Sequence, residues 1–347
     1  MSEFPDRSAS ADPDDAPLLE VRDLTIVYDT SSGPVTAVDA VDLTVRRGEF
    51  VAVVGESGCG KSTMLFGIAQ LLSPPARITT GSVLFRGEDL VTMNDRQLAP
   101  TRWRHLSVVM QSAMNALNPV ARIGAQYADT MRAHGVRDKA EVRRRSEEVL
   151  ALVGIDRIHL QSYPHQLSGG MRQRAMIAMA LLFSPDLIIM DEPTSALDVV
   201  AQRSLMLQIK ELQRRLGFAV LFVTHDMSLV SHFSDRLLVM YAGQDVELGD
   251  TRTVFDSPAH PYSRGLLDAF PSIRGPKKPL AGIPGAPPAL TAMPRGCRYA
   301  PRCPLAYADC HEVVPDLYEV DGVEARCLLY SDDHQPDRPA EPAGATS

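Results

Sequence analysis

The chemistry in this sequence begins at residues 55–62, which read Gly-Glu-Ser-Gly-Cys-Gly-Lys-Ser after the apolar run Phe-Val-Ala-Val-Val at 50–54. A short strand running into a glycine-rich loop and then a helix is a nucleotide-binding pattern. Gly55, Gly58 and Gly60 let the backbone turn tightly, so that its N–H groups converge on one point and suit the phosphates of a nucleotide. Lys61 is placed to reach the β and γ phosphates, and Ser62 to hold Mg²⁺. A second acidic element is Asp191 and Glu192, which close the apolar run 187–190. Near a phosphate loop, an aspartate at the end of a buried strand supplies a Mg²⁺ contact, and the adjacent glutamate orients or deprotonates a water. His225, after the apolar run 219–223, is of a type that reaches a γ-phosphate or the attacking water.

Other residues admit two readings from type and place alone. Tyr28 follows the first strand and either stacks on an adenine ring or packs on the sheet edge. Gln111 closes the apolar stretch 106–110, where a polar residue is either functional or structural. Ser168, followed by Gly169 and Gly170, suits a helix start whose free N–H groups form a second anion-binding element, or a plain N-cap. Of five cysteines, Cys59 reads as a small residue of the phosphate loop. Cys297, Cys303, Cys310 and Cys327 cluster late in the chain, which in a reducing compartment points to a metal or cluster site more than to disulfides.

The elements that must position these residues follow from apolar spacing. Alternation over 18–28 and 36–47 predicts two half-buried strands, and 78–88 a third. The runs 50–54, 106–110, 187–190 and 219–223 read as buried strands, and 237–241 with 244–248 as a hairpin around Gly243. Helices are expected at 63–72, 138–153 with a stop at Gly154, 172–183, 199–216 and 263–270. Residues 112–123 read as loop. Strands alternating with helices after an antiparallel entry predict an α/β core with a mainly parallel sheet. Residues 1–16 read as a disordered leader, 17–258 as the catalytic domain, 259–295 as a His-Pro-Tyr segment and linker, 296–330 as a small cysteine-containing module, and 331–347 as a disordered tail.

Length and charge narrow the class. The 347 residues exceed one typical domain, and an apolar content of 45% supports a real core. A net charge of −8 argues against a nucleic-acid binder. No run of eighteen apolar residues is present to span a membrane.

With these pieces in order, the chain resembles the ATP-binding subunits of ATP-binding-cassette (ABC) transporters, in the peptide and nickel importer group, and especially the first of two paired ATPases. Residues 55–62 resemble the Walker A motif, 187–192 Walker B with its catalytic glutamate, and 167–173 (LSGGMRQ) the family signature. Gln111 matches the Q-loop, Ser195 to Asp198 the D-loop, His225 the switch histidine and Tyr28 the adenine-stacking aromatic. The resemblance implies a P-loop ABC ATPase core with an antiparallel subdomain, a helical subdomain at about 112–180, and the cysteine module. It implies that Tyr28, Gly55, Ser57, Gly58, Cys59, Gly60, Lys61, Ser62, Thr63, Gln111 and Asp191 surround ATP. Ser62, Gln111 and Asp191 would hold Mg²⁺, and Glu192, His225 and Gln111 would serve hydrolysis.

Leu167, Ser168, Gly169, Gly170 and Gln173 would complete a second ATP site on a partner ATPase, with Ser195 and Asp198 beside the interface. The implied partners are that second ATPase, two transmembrane permease subunits and an extracytoplasmic binding protein, on the cytoplasmic face of a bacterial membrane. His260, Pro261 and Tyr262 resemble the mark of the peptide-importer ATPases. For Cys297, Cys303, Cys310 and Cys327 the resemblance implies a structural [4Fe-4S] cluster, with Zn²⁺ or unliganded thiols as alternatives, because the spacing lacks paired CxxC knuckles. The expected activity is ATP-driven import of di- or oligopeptides, with nickel, glutathione-like or antimicrobial peptides as other cargoes. A soluble ATPase acting on DNA or ribosomes would call for coiled-coil insertions or a second fused cassette, which the sequence does not contain.

Overall fold

A computed structural model describes residues 16–111, 116–195, 197–269 and 282–334. All but the last residue of the expected leader, most of the tail, residues 270–281 of the linker and the first part of the 112–123 loop lie outside those residues. Two sheets organise the chain. The smaller is antiparallel, in the order β2-β1-β4-β5, built from β1 (Leu19–Thr30), β2 (Gly33–Val45), β4 (Ala76–Phe85) and β5 (Glu88–Asp89). Its apolar positions alternate, so one face is buried and the other meets solvent.

The larger sheet runs β11-β12-β10-β9-β3-β8-β7-β6. Its centre is β3 (Phe50–Val54), which pairs in parallel with β8 (Ala219–Val223) and β9 (Arg236–Tyr241). Beyond β8 lie β7 (Leu187–Asp191) and β6 (Leu106–Val109), also parallel. All five residues of β3, β7 and β8 are buried, the signature of strands covered on both faces. Phe50 and Phe222 meet edge to face with ring centroids 5.1 Å apart, within one hydrophobic core.

The helix Val199–Leu216 matches its expected span; Asp198 caps its first turn and Gly217 (φ 72°) ends it in the left-handed conformation. The helix Lys139–Leu152 is capped by Asp138. Before it lies Ile123–Ala133, a helix the sequence reading left unassigned. It buries Ile123, Tyr127, Ala128 and Met131, and the Tyr127 hydroxyl donates to the Ala175 carbonyl at 2.6 Å. Gly124, Thr130 and the charges around them blur its apolar stripe, which is why spacing alone did not reveal it. The short helix Met227–Phe233 was likewise unassigned.

The last two strands, β11 (Tyr318–Val320) and β12 (Val323–Ala325), turn through Asp321 (φ 49°) and Gly322 (φ 83°). Positive φ at both turn residues is what an Asp-Gly two-residue hairpin requires. Through β12 this hairpin pairs with β10 (Gln244–Asp250), so residues 318–325 continue the main sheet.

Candidate functional site

β3 delivers the chain into a loop that wraps the start of the helix Lys61–Ile68. Two glycines have no substitute here. A Cβ on Gly55 (φ 150°) would sit 2.2 Å from the Met240 carbonyl oxygen, and one on Gly60 (φ 101°) 2.3 Å from the Ala37 carbonyl oxygen. The loop is tied down by Gly243, whose N–H donates to the Cys59 carbonyl at 3.0 Å. Lys61 is buried and its ammonium donates to the carbonyls of Gly55 and Glu56, both at 2.8 Å. It thus lies across the mouth of its own loop with no carboxylate partner among the described contacts. Cys59 is buried under the loop, its Sγ 3.6 Å from the Lys61 nitrogen, and burial raises its pKa.

The acidic side of the site stands at the ends of β7 and β8. Ser62 Oγ donates to Asp191 Oδ1 at 2.9 Å, bringing together two residues 129 positions apart. Asp191 is buried, and burial, opposed by the Ser62 hydrogen bond, holds its pKa above the ordinary carboxylate value. A hydroxyl and a buried carboxylate side by side are hard oxygen ligands that fit Mg²⁺, whose charge would relieve the cost of burial. The next residue, Glu192, has φ 44°, and its N–H bonds to the Val223 carbonyl at 3.0 Å. This kink turns its carboxylate out of the strand. Gln111 Nε2 donates to Glu192 Oε2 at 2.7 Å, and His225 Nδ1 lies 3.4 Å from Oε1. So Gln111, Glu192 and His225 form one chain of contacts, while Gln111 is turned to Glu192 rather than to Ser62 and Asp191. A carboxylate held at both oxygens beside a phosphate loop can orient and deprotonate a water.

Tyr28, at the end of β1, shares a hydrogen bond with Thr63 Oγ1 at 3.1 Å, which ties the antiparallel sheet to the first helix of the site. Ser168 caps the helix Gly169–Ala180 through the Met171 N–H at 3.3 Å. Ser168, Gly169 and Gly170 reach the surface, whereas Leu167 and Gln173 are buried. Among the described residues, no hydrogen bond joins 167–173 to the phosphate loop. Gly170 and Asp198 instead line a shared surface depression with Arg174 and Val200. Val199 and Val200, next to Asp198, are 78% and 79% exposed. Ser195 is exposed, and its N–H donates to the Glu192 carbonyl at 3.3 Å.

Cys297, Cys303, Cys310 and Cys327 line one small cavity with His260. Their thiols are unpaired as disulfides. Burial and then the neighbouring cysteines raise Cys297, Cys303 and Cys327, the last to about 12; backbone N–H groups oppose the shift. Among the described residues, no group of three or more His, Cys, Asp or Glu side chains is arranged to hold a metal ion. Neither the expected [4Fe-4S] cluster nor the zinc alternative therefore finds a preformed ligand set among the described residues.

Two contacts escaped the sequence reading. The Arg302 guanidinium forks onto both Glu56 carboxylate oxygens, at 2.9 and 3.1 Å, and the Glu56 N–H donates to the Tyr262 hydroxyl at 2.9 Å. Neither residue type nor spacing signals a partner 246 residues away.

Comparison with known proteins fits this geometry. Residues 38–195 match the family described as ABC transporter, and residues 246–310 that described as Oligopeptide/dipeptide transporter, C-terminal region. The dipeptide transport ATP-binding protein DppD of Caldanaerobacter subterraneus subsp. tengcongensis is 39% identical over 91% of this chain and 98% of its own length. The oligopeptide transport ATP-binding protein OppD of Salmonella typhimurium is 43% identical over 86% of this chain and 89% of its own. Among solved structures, the ATP-binding cassette MJ0796, as a dimer bound to ADP and Pi, superposes with a TM-score of 0.60 at 29% identity, covering 67% of this chain and 99% of that one. The chain therefore belongs to the ATP-hydrolysing subunits of ABC transporters, in the group that carries the oligopeptide/dipeptide transporter C-terminal region.

Proposed function

We propose that this subunit powers import of di- or oligopeptides by binding ATP with a second ATPase subunit and hydrolysing it. The observation that carries the proposal is the joint presence of the site at Lys61, Ser62, Asp191, Glu192 and His225 and of a C-terminal region shared with peptide-transport relatives. For nucleotide to enter, Lys61 exchanges the carbonyls of Gly55 and Glu56 for phosphate oxygens. The N–H groups of 57–63 close round the phosphates, and Tyr28 flanks the base. Ser62 and Asp191, and Gln111 if released from Glu192, would hold Mg²⁺, which would supply positive charge against the phosphates. Glu192 takes the proton of the attacking water, and His225 holds Glu192 and the γ-phosphate in register.

The exposed surface formed by Ser168, Gly169, Gly170, Asp198, Val199 and Val200 supports a head-to-tail pairing in which Ser168 and Gly170 complete the partner's ATP site. No helix among the described residues is long and apolar enough to cross a membrane. That fits a peripheral subunit on the cytoplasmic face, docked on two permease subunits fed by an extracytoplasmic binding protein.

For the four cysteines we favour a [4Fe-4S] cluster that clamps the C-terminal segment. All four cysteines line one cavity, and burial raises the thiols of Cys297, Cys303 and Cys327, so a cationic centre would be needed to hold these three as thiolates. The test is anaerobic purification of the whole complex through a tag on this chain. The proposal expects permease subunits to co-purify, ATPase activity to rise with peptide, about four irons per chain and an absorbance near ~400 nm. Co-purification without peptide stimulation would reject the cargo; one zinc and no iron would reject the cluster.

A further inference from the structure

The segment 297–303 has two faces. Cys297 and Cys303 line the cysteine cavity, while Arg298 and Arg302, each adjacent to one of them, reach the ATPase core. Arg298 bonds to the Ala242 carbonyl and the Asp39 carboxylate. These neighbour Gly243, whose carbonyl accepts from the Asp39 N–H at 2.9 Å and whose N–H holds Cys59. Arg302 is 7% exposed at its side chain and Glu56 23%. Beyond its fork onto Glu56, Arg302 donates to the Tyr241 hydroxyl at 3.2 Å and to the Pro284 carbonyl at 2.8 Å. A planar guanidinium held at so many points is oriented, not merely attracted.

Glu56 is thus held at three groups: its carbonyl by Lys61, its N–H by the Tyr262 hydroxyl, its carboxylate by Arg302. Nucleotide binding recruits Lys61 to the phosphates and removes the first hold. The remaining two come from the C-terminal region. The Glu56 carboxylate also stands at the phosphate loop, where its charge opposes a polyphosphate unless Arg302 neutralises it.

We propose that Arg302, with the Tyr262 hydroxyl, is a positioning residue for the phosphate loop, so that the cysteine segment completes the nucleotide site of its own chain. This rests on residues 55–62 being the phosphate loop, not on what the cysteines hold. The experiment measures KM and kcat for ATP, and equilibrium binding of Mg-ADP, in the purified complex. Arg302→Gln is expected to raise the ATP KM and the ADP Kd about tenfold, the loss of one charge-assisted pair, with kcat within about twofold. Arg302→Lys recovers part of this, keeping the charge without the fork. Tyr262→Phe, which preserves the buried ring, raises KM about threefold by leaving the Glu56 N–H unpaired. Adding Glu56→Gln to Arg302→Gln changes little, since one contact is lost only once. Wild-type KM in an assembled Arg302→Gln complex, or additive effects of the two substitutions, overturn the proposal. If Arg302→Gln does not assemble, Tyr262→Phe decides, and a wild-type KM there overturns it. Lys61→Ala is the separate control: undiminished ADP binding would overturn the phosphate-loop reading itself.

Discussion

Replacing Glu192 by Gln separates the two jobs of the acidic pair. The amide has the same shape, and its oxygen still accepts from Gln111 Nε2, which lies 2.7 Å from the native carboxylate. Ser62 and Asp191, joined at 2.9 Å, are untouched, so the proposed cation ligands remain. What disappears is the basic oxygen that takes a proton from water. General-base catalysis contributes about 10²–10⁴-fold, so hydrolysis should fall by about that factor, equivalent to roughly 3–5 kcal/mol on the barrier. ATP affinity should stay within about threefold of wild type, because the retained hydrogen bond keeps the strand end in place. Steady-state ATPase activity and ATP binding in the same preparation read both quantities. Size-exclusion chromatography with ATP should show the closed pair accumulating. Hydrolysis at the wild-type rate would refute the base assignment. A fall in hydrolysis matched by an equal loss of ATP binding would refute the division of labour between Asp191 and Glu192.

Other consequences are as direct. Gly60→Ala places a methyl 2.3 Å from a backbone oxygen at φ 101°, and should lower stability by about 1–3 kcal/mol, measured by denaturant unfolding, while abolishing nucleotide binding. Asp245 is buried beside Arg326 (2.8 Å), and burial lifts its pKa to about 6. A folded pKa above the unfolded one contributes stability that is fully present below the ordinary carboxylate value and lost as pH rises through about 6. Wild-type protein should therefore lose on the order of 3 kcal/mol between pH 4 and 7 from this group. Asp245→Asn should flatten that slope in unfolding curves recorded across the range; an unchanged slope would assign it to other groups. Ser168→Arg, on the exposed turn of the signature helix, should leave the isolated subunit's ATP affinity unchanged and suppress ATP-dependent pairing, as read by light scattering.

Much of the fold was legible because the buried strands are continuous apolar runs. Phe50–Val54 and Ala219–Val223 were delimited by composition alone, and Val199–Leu216 by its apolar spacing. The placement of residues 55–62, Asp191, Glu192 and His225 together was legible because each follows such a run, and parallel strands bring their carboxyl ends together. Two kinds of feature were hidden. Ile123–Ala133 buries Ile123, Tyr127, Ala128 and Met131 at helical spacing, but Gly124, Gln126, Asp129, Thr130 and Arg132 dilute the run, and its packing shows in the Tyr127 bond to Ala175. The hairpin β11–β12 carries an Asp-Gly signal, but its place at the edge of β10 depends on long-range pairing that local pattern does not encode. The Glu56–Arg302 pair is hidden for the same reason. Cysteine clustering, by contrast, did announce itself: four residues spread over 297–327 come to line one cavity.

The central claim is that ATP hydrolysis at Glu192 drives peptide uptake. Its most direct test is uptake of a radiolabelled dipeptide by proteoliposomes containing the complex purified through this chain, with binding protein on one side and ATP on the other. The account predicts accumulation that requires ATP and is abolished when this chain carries Glu192→Gln in an intact complex. Accumulation that persists with Glu192→Gln, or an assembled wild-type complex that hydrolyses ATP without moving any di- or oligopeptide, would contradict it.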